Sequence, residues 1–153
     1  MSATIYDSRP LVTRMTEELR GEAAQFRKQH HRPARLAQLV AGHDAAAEVY
    51  SRQLVRSCRN IGLGCATLAY PFEIEEDELQ AEVAALNDDA NTEGVVLLLP
   101  LPAHIRQRIV TDVLRPEKDV DGLGSRNAGN LLLGFPSFIP STADAILAVL
   151  RDA

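Results

Sequence analysis

The sequence predicts an α/β protein, a three-layer sandwich in which a mainly parallel sheet is covered by helices on both faces. Two observations carry this. Three apolar runs, "LAQLVAG" (36–42), "GCATLAYP" (64–71) and "GVVLLLP" (94–100), are short and closed by glycine or proline, the pattern of buried strands. The segments between them repeat apolar residues every three or four positions, and strands that alternate with helices and are apolar on both faces run parallel, with right-handed crossovers.

The elements follow in order. Leu11, Met15, Leu19, Ala23 and Phe26 put one apolar stripe on a packing helix over about 10–29. "KQHHRPAR" is a polar connection to the first strand, which ends at Gly42. Asp44 is a candidate N-cap for a helix that carries Val49, Leu54, Val55 and Cys58 and stops at Gly62. "EIEEDELQAEVAALNDD" (73–89) predicts a third helix whose acidic first turn suits the helix dipole. Residues 115–142, rich in glycine and proline, predict a long functional loop before a last helix from about Ala143 to Arg151.

Composition narrows the classes of function. A chain of 153 residues, 46% hydrophobic, predicts a single domain, and 16 basic against 21 acidic residues give a net charge of −5, which argues against nucleic acid as a partner. Cys58 and Cys65 lack metal or redox spacing and predict two reduced, buried thiols in a cytoplasmic protein. "MSATIYDSRPL" has no basic flank and apolar core, and no run approaches 18 apolar residues, so no leader and no membrane partner are expected. No His, Cys, Asp or Glu group has ligand spacing, and no metal is expected.

In sheets of this kind ligands sit beyond the carboxyl ends of the strands, which selects "GHDAAAEVY" and "PLPAHI". "EKDVDG" and "LLPLP" taken singly read as a turn and a strand stop. Taken together, "VYSRQLVRSCRNIGL", "GVVLLLPLPAHI", "RPEKDVDGLGSRNAGNL" and the "PST" before the last helix resemble the N-terminal, folate-binding catalytic domain of the bifunctional methylenetetrahydrofolate dehydrogenase/cyclohydrolases. The resemblance runs from about residue 4 to the end.

The resemblance implies a site. Tyr50 would flank the folate, and Asp121, with Gly122 behind it, would bind the pterin. Pro100 and Leu101 of "LPLP" would line the same pocket. A lysine serving as acid or base is implied where this chain has Leu54, and a glutamine orienting it where this chain has Leu98. The joint change leaves a coherent apolar wall, since a glutamine facing Leu54 would bury an unpaired amide at a cost on the order of 1–3 kcal/mol. Leu54, one helical turn past Tyr50, is expected to line the pocket.

With that lysine gone, His43 and Glu48 are the candidate proton carriers, beside Asp121. Their plainer roles are a solvated loop histidine and a dipole partner for the helix. His104 is expected to cap or pack near a helix start. The family's dinucleotide-binding domain is not expected in these residues, because no G-x-G-x-x-G occurs and "GLGSRNAG" lacks the spacing. The expected function is therefore a one-carbon enzyme using tetrahydrofolate or 5,10-methylenetetrahydrofolate without NAD(P), passing the methylene group to an unidentified small-molecule substrate. The alternative is a non-catalytic folate-binding or regulatory subunit of a split enzyme. A homodimer or a partner chain is expected to cover exposed apolar surface.

Overall fold

The computed structural model describes residues 5–153; residues 1–4 of the stretch read for a leader lie outside the description. In chain order the elements are α1 (Arg9–His30), β1 (Arg35–Ala41), α2 (Ala45–Ile61), β2 (Gly64–Tyr70), α3 (Glu76–Asp88), β3 (Gly94–Leu97), α4 (Gln107–Thr111), α5 (Ser125–Leu133) and α6 (Ser141–Asp152). The strands form one parallel sheet in the order β2-β1-β3, with Leu39 of the central strand opposite Leu68 and Leu97.

Alternation along the strands sends side chains to two different cores. Ala37, Leu39 and Ala41 of β1, with Val95 and Leu97 of β3, pack on Leu79, Val83 and Leu86 of α3 and Val110 of α4. On the opposite face Val40, Val96 and Leu98 receive Ala47 of α2, with Leu54 and Val120 at the margin. Helices thus cover both faces, as the apolar runs predict. Gln38 of β1 is fully buried among the second set; its amide donates to Thr67 Oγ1 (2.7 Å) and Ser51 O (3.3 Å).

Helix α2 has the ends its sequence predicts. The Asp44 carboxylate accepts from Ala47 N at 2.7 Å, and Gly62, at φ 87°, closes the helix with its N–H on the Cys58 and Arg59 carbonyls. Arg20 of α1 donates to Asn60 O, fixing the first helix beside the end of α2. Tyr6 and Arg14 both reach the Asp152 carboxylate, so the first half of α1 and the residues just before it lie against the end of α6.

Four local expectations change. Of the α1 stripe only Leu11 and Ala23 are buried, while Met15 and Leu19 stay exposed, because the helix touches its neighbour along a narrow line. The third strand stops at Leu97 rather than 100, where Leu98 N still bonds Leu39 O and Pro100 has no N–H to offer. The segment 115–142 contains α5, and α4 lies just before it; both helices are too short for an apolar repeat to announce them. Cys58 is buried and Cys65 half-buried, both free; burial above all pushes the Cys58 thiol up to about 11.

Among the described residues, no helix is long and apolar enough to cross a membrane, and no cluster of His, Cys, Asp and Glu is arranged to hold a metal ion.

The connection between α3 and β3 is built on Asp89. Its carboxyl is held down to about 2, first by the Asn91 N–H, then by the Thr92 hydroxyl and by Arg35. A carboxyl depressed in the folded state adds stability that is complete above its ordinary value of 3.8 and is lost as pH falls toward about 2. Asp89→Asn is expected to flatten the acid limb of stability in that window and leave the neutral plateau's pH dependence unchanged, as read by urea unfolding at stepped pH.

Candidate active site

A cleft of about 320 Å³ opens beyond the carboxyl end of β3, where parallel sheets place their ligands. Its floor is Val96, Leu97, Leu98 and Leu99; Ala47 and Tyr50 of α2 form one wall. Asp121 and Leu123 form another, and Pro140, Ser141 and Thr142 at the start of α6 close it. Asp121 is the one carboxylate in this lining. Burial, and then the nearby Asp121 charge, raise the Tyr50 phenol above its ordinary value, so Tyr50 stays a neutral phenol with a proton to donate.

The segment "KDVDG" is arranged residue by residue. Lys118 Nζ donates to Leu86 O (2.7 Å) and Asp89 O (2.8 Å) at the end of α3. Asp119 is buried, and its carboxylate accepts from Leu123 N, Gly124 N and Asn127 Nδ2. Val120 packs against the apolar set beneath Leu98, lying over Gly94, where a Cβ would come within 2.6 Å of it. Asp121 reaches the cleft. Gly122 has φ 61°, and a Cβ there would stand 2.7 Å from the Phe138 carbonyl oxygen, so only glycine lets the 138–142 segment close on the turn.

The structure brings Tyr50, Leu98 and Asp121 together and leaves the other candidates elsewhere. His43 and Glu48 line a separate cleft of about 470 Å³ with Ser51, Arg52 and Thr67. The reason is helical phase: positions 47 and 50 share one side of α2, while 48, 51 and 52 share another. His43, with its side chain 87% exposed, stands 3.8 Å from Glu48, which also meets Arg52 at 3.6 Å. Neither group is placed to move a proton in the first cleft.

Leu54 is also corrected: it is not in the cleft lining but packs half-buried against the set containing Leu98, serving as backing rather than wall. Pro100 is exposed, and Leu101 packs on the opposite core; it is Leu99 that lines the cleft. His104 bonds the Ile74 carbonyl at 2.9 Å ahead of α3 and edges onto Phe72, a packing role. Sequence reasoning missed Leu123 and the Pro140, Ser141, Thr142 wall. The signal for the latter was the proline with two hydroxyl residues at a helix start, which fixes a helix end but not what that end faces.

A nicotinamide dinucleotide needs free backbone N–H groups for its pyrophosphate. In the glycine-rich stretch of this chain those groups are already taken: Leu123 N and Gly124 N bond Asp119, and Ser125 N bonds Asp112 Oδ1 at 2.8 Å. This stretch therefore offers no cradle for a pyrophosphate.

Comparison with known proteins bears on the chemistry. The family described as "Tetrahydrofolate dehydrogenase/cyclohydrolase, catalytic domain" matches residues 6–121. The Bifunctional protein FolD of Cupriavidus necator is 38% identical over 152 residues, covering 99% of this chain and 53% of that protein. Among solved structures, the FolD methylenetetrahydrofolate dehydrogenase/cyclohydrolase of Campylobacter jejuni superposes with a TM-score of 0.92 at 29% identity, over 99% of this chain and 54% of that one. The Trypanosoma brucei FolD, solved with NADP and an inhibitor, gives 0.89 at 28%, over 99% and 52%. The chain therefore spans about half the length of the relatives it matches.

These findings overturn the expected function. The two solved relatives are named as methylenetetrahydrofolate dehydrogenase/cyclohydrolases, and one was solved with NADP, which contradicts a methylene transferase or cyclase working without NAD(P). Leucines at positions 54 and 98 therefore do not by themselves mark a change of reaction class. Matched over residues 6–121 by the family description, the chain belongs to the tetrahydrofolate dehydrogenase/cyclohydrolase catalytic-domain family.

Proposed function

We propose that this chain binds the folate substrate of a methylenetetrahydrofolate dehydrogenase/cyclohydrolase and supplies the folate side of that active site. The observation that carries the reading is the pairing of Asp121 with Tyr50 across an apolar cleft at the end of β3. A reduced pterin presents a row of N–H donors on its pyrimidine edge, and a carboxylate accepts two of them in parallel. The Tyr50 ring offers a flat face to the aminobenzoyl group. Val96, Leu98 and Leu123 exclude water from the one-carbon bridge between them.

A nicotinamide cofactor, when bound, accepts or returns the hydride; the amides of Leu123, Gly124 and Ser125 are not free to hold its pyrophosphate. This chain's own work is to bind and orient the folate and to keep its bridge dry. Leu131, Leu132, Leu133 and Phe135 at the end of α5, and Ile146 and Leu150 of α6, are exposed apolar side chains that a further domain, a partner chain or a second copy would cover.

Calorimetric titration with tetrahydrofolate and with 5,10-methylenetetrahydrofolate tests the reading. Micromolar binding is expected, weakened at least tenfold by Asp121→Ala, since a charge-assisted hydrogen bond is worth about 1.5–3 kcal/mol. No binding up to millimolar ligand, or binding indifferent to Asp121→Ala, would remove it.

A further inference from the structure

The geometry points to Asp119 as the positioning residue of the folate site: its buried carboxylate fixes where Asp121 stands. The inference rests on the folate reading of the cleft. Asp119 is 2% exposed, and a carboxylate so placed is costly unless its lone pairs are filled. They are filled by three neutral donors: Leu123 N at 3.1 Å on Oδ1, and Gly124 N and Asn127 Nδ2, each at 2.9 Å, on Oδ2. Its main-chain carbonyl accepts from Gly122 N at 3.0 Å.

These bonds draw the chain after Asp121 back onto the residue two before it, so 119–124 forms a closed turn with the Asp119 carboxylate at its centre. Asp121 occupies the outer rim. Its position is then set by whatever holds Asp119, and that is the sheet. Asp119 forms a parallel bridge with Val95 of β3, and Val95 N donates to Lys118 O at 2.7 Å. The same strand supplies the cleft floor at Val96 and Leu97. Asp119 thereby places the pterin-binding carboxylate and the floor beneath the pterin in one frame.

Asparagine is the incisive replacement. It keeps the size of the side chain but turns an NH₂ toward one of the amides that now donate, setting donor against donor and loosening the turn on the side that carries Asp121. The displacement would reach the pterin contact and not Tyr50, which stands on α2.

The test compares tetrahydrofolate with p-aminobenzoylglutamate, which lacks the pterin, on the whole chain and on Asp119→Asn, with thermal unfolding to confirm that the variant is folded. The expected result is a Kd for tetrahydrofolate raised at least tenfold with the fragment's Kd changed less than twofold. Two results would overturn the proposal: both affinities unchanged, or both falling together, as a general loosening of the fold would produce. If Asp119→Asn does not fold, Asn127→Ala removes one of the three donors and leaves the turn's backbone bonds. A threefold loss confined to tetrahydrofolate is then expected, and an affinity for tetrahydrofolate equal to that of the unchanged chain overturns the proposal. Failure of the unchanged chain to bind tetrahydrofolate removes the folate reading itself, and this proposal with it.

Discussion

Gly122→Ala is expected to lower stability by about 3 kcal/mol and, if the cleft binds folate as proposed, to abolish measurable binding of it. Two costs add: an alanine in the left-handed region costs roughly 1–2 kcal/mol, and forcing a methyl group into occupied space costs about 1–3 kcal/mol. Here the occupied space is the Phe138 carbonyl, 2.7 Å from the Cβ position, with Ile139 C at 3.4 Å. Relief of that contact moves the 138–142 segment outward, and Pro140, Ser141 and Thr142 leave the cleft. For a chain of this size the stability loss corresponds to a fall in Tm of roughly 10 °C. Thermal unfolding and tetrahydrofolate titration on the same sample check both halves. An unchanged Tm would mean that the turn and the 138–142 segment are not in contact.

The second large effect concerns the two leucines that stand where the family resemblance implies a lysine and a glutamine. Leu98→Gln alone puts an amide at a position 4% exposed, beside Val40, Ala47 and Val96, at a cost on the order of 1–3 kcal/mol. Leu54→Lys alone sets an ammonium at the half-buried edge of the same apolar set. The two leucines pack in one cluster, so the changes should couple: the double variant is expected to be more stable than the sum of the singles by about 1 kcal/mol or more. If the cleft binds folate as proposed, cyclohydrolase turnover should rise in the double variant and in neither single one. A double-mutant cycle in urea with an activity assay reads both; strict additivity and unchanged turnover would show that the two positions do not face each other as packed.

The layered fold was legible because it is written in strong, redundant patterns. Three apolar runs with glycine or proline at their ends and the amphipathic α2 between Asp44 and Gly62 leave few alternatives to a parallel sheet. The short helices α4 and α5 were not legible, since a helix of one or two turns shows no period and α5 carries the glycine and asparagines of a loop.

The site was legible in part for a similar reason. Asp121 and Tyr50 stood out through the resemblance, and the structure sets them on one cleft. Glu48 lay close to Tyr50 in sequence, but the 100° step of a helix sends neighbours to different sides, and His43 precedes the cap of α2, so proximity along the chain says little about which opening a side chain faces. The Ser141 and Thr142 wall depends on how a segment some 20 residues after Asp121 folds back, which only the space left by Gly122 decides. The chemistry was not legible, because two apolar side chains at positions 54 and 98 do not by themselves specify a reaction.

The contacts of Tyr6 and Arg14 with Asp152 have a bearing on the chain's topology as a thread. They bring the first helix beside the last, so the two ends of the described chain leave the fold as neighbours. A short linker would join them, and the backbone would tolerate being reopened in an exposed connection, with the order of the strands and the cleft beyond β3 left as they are.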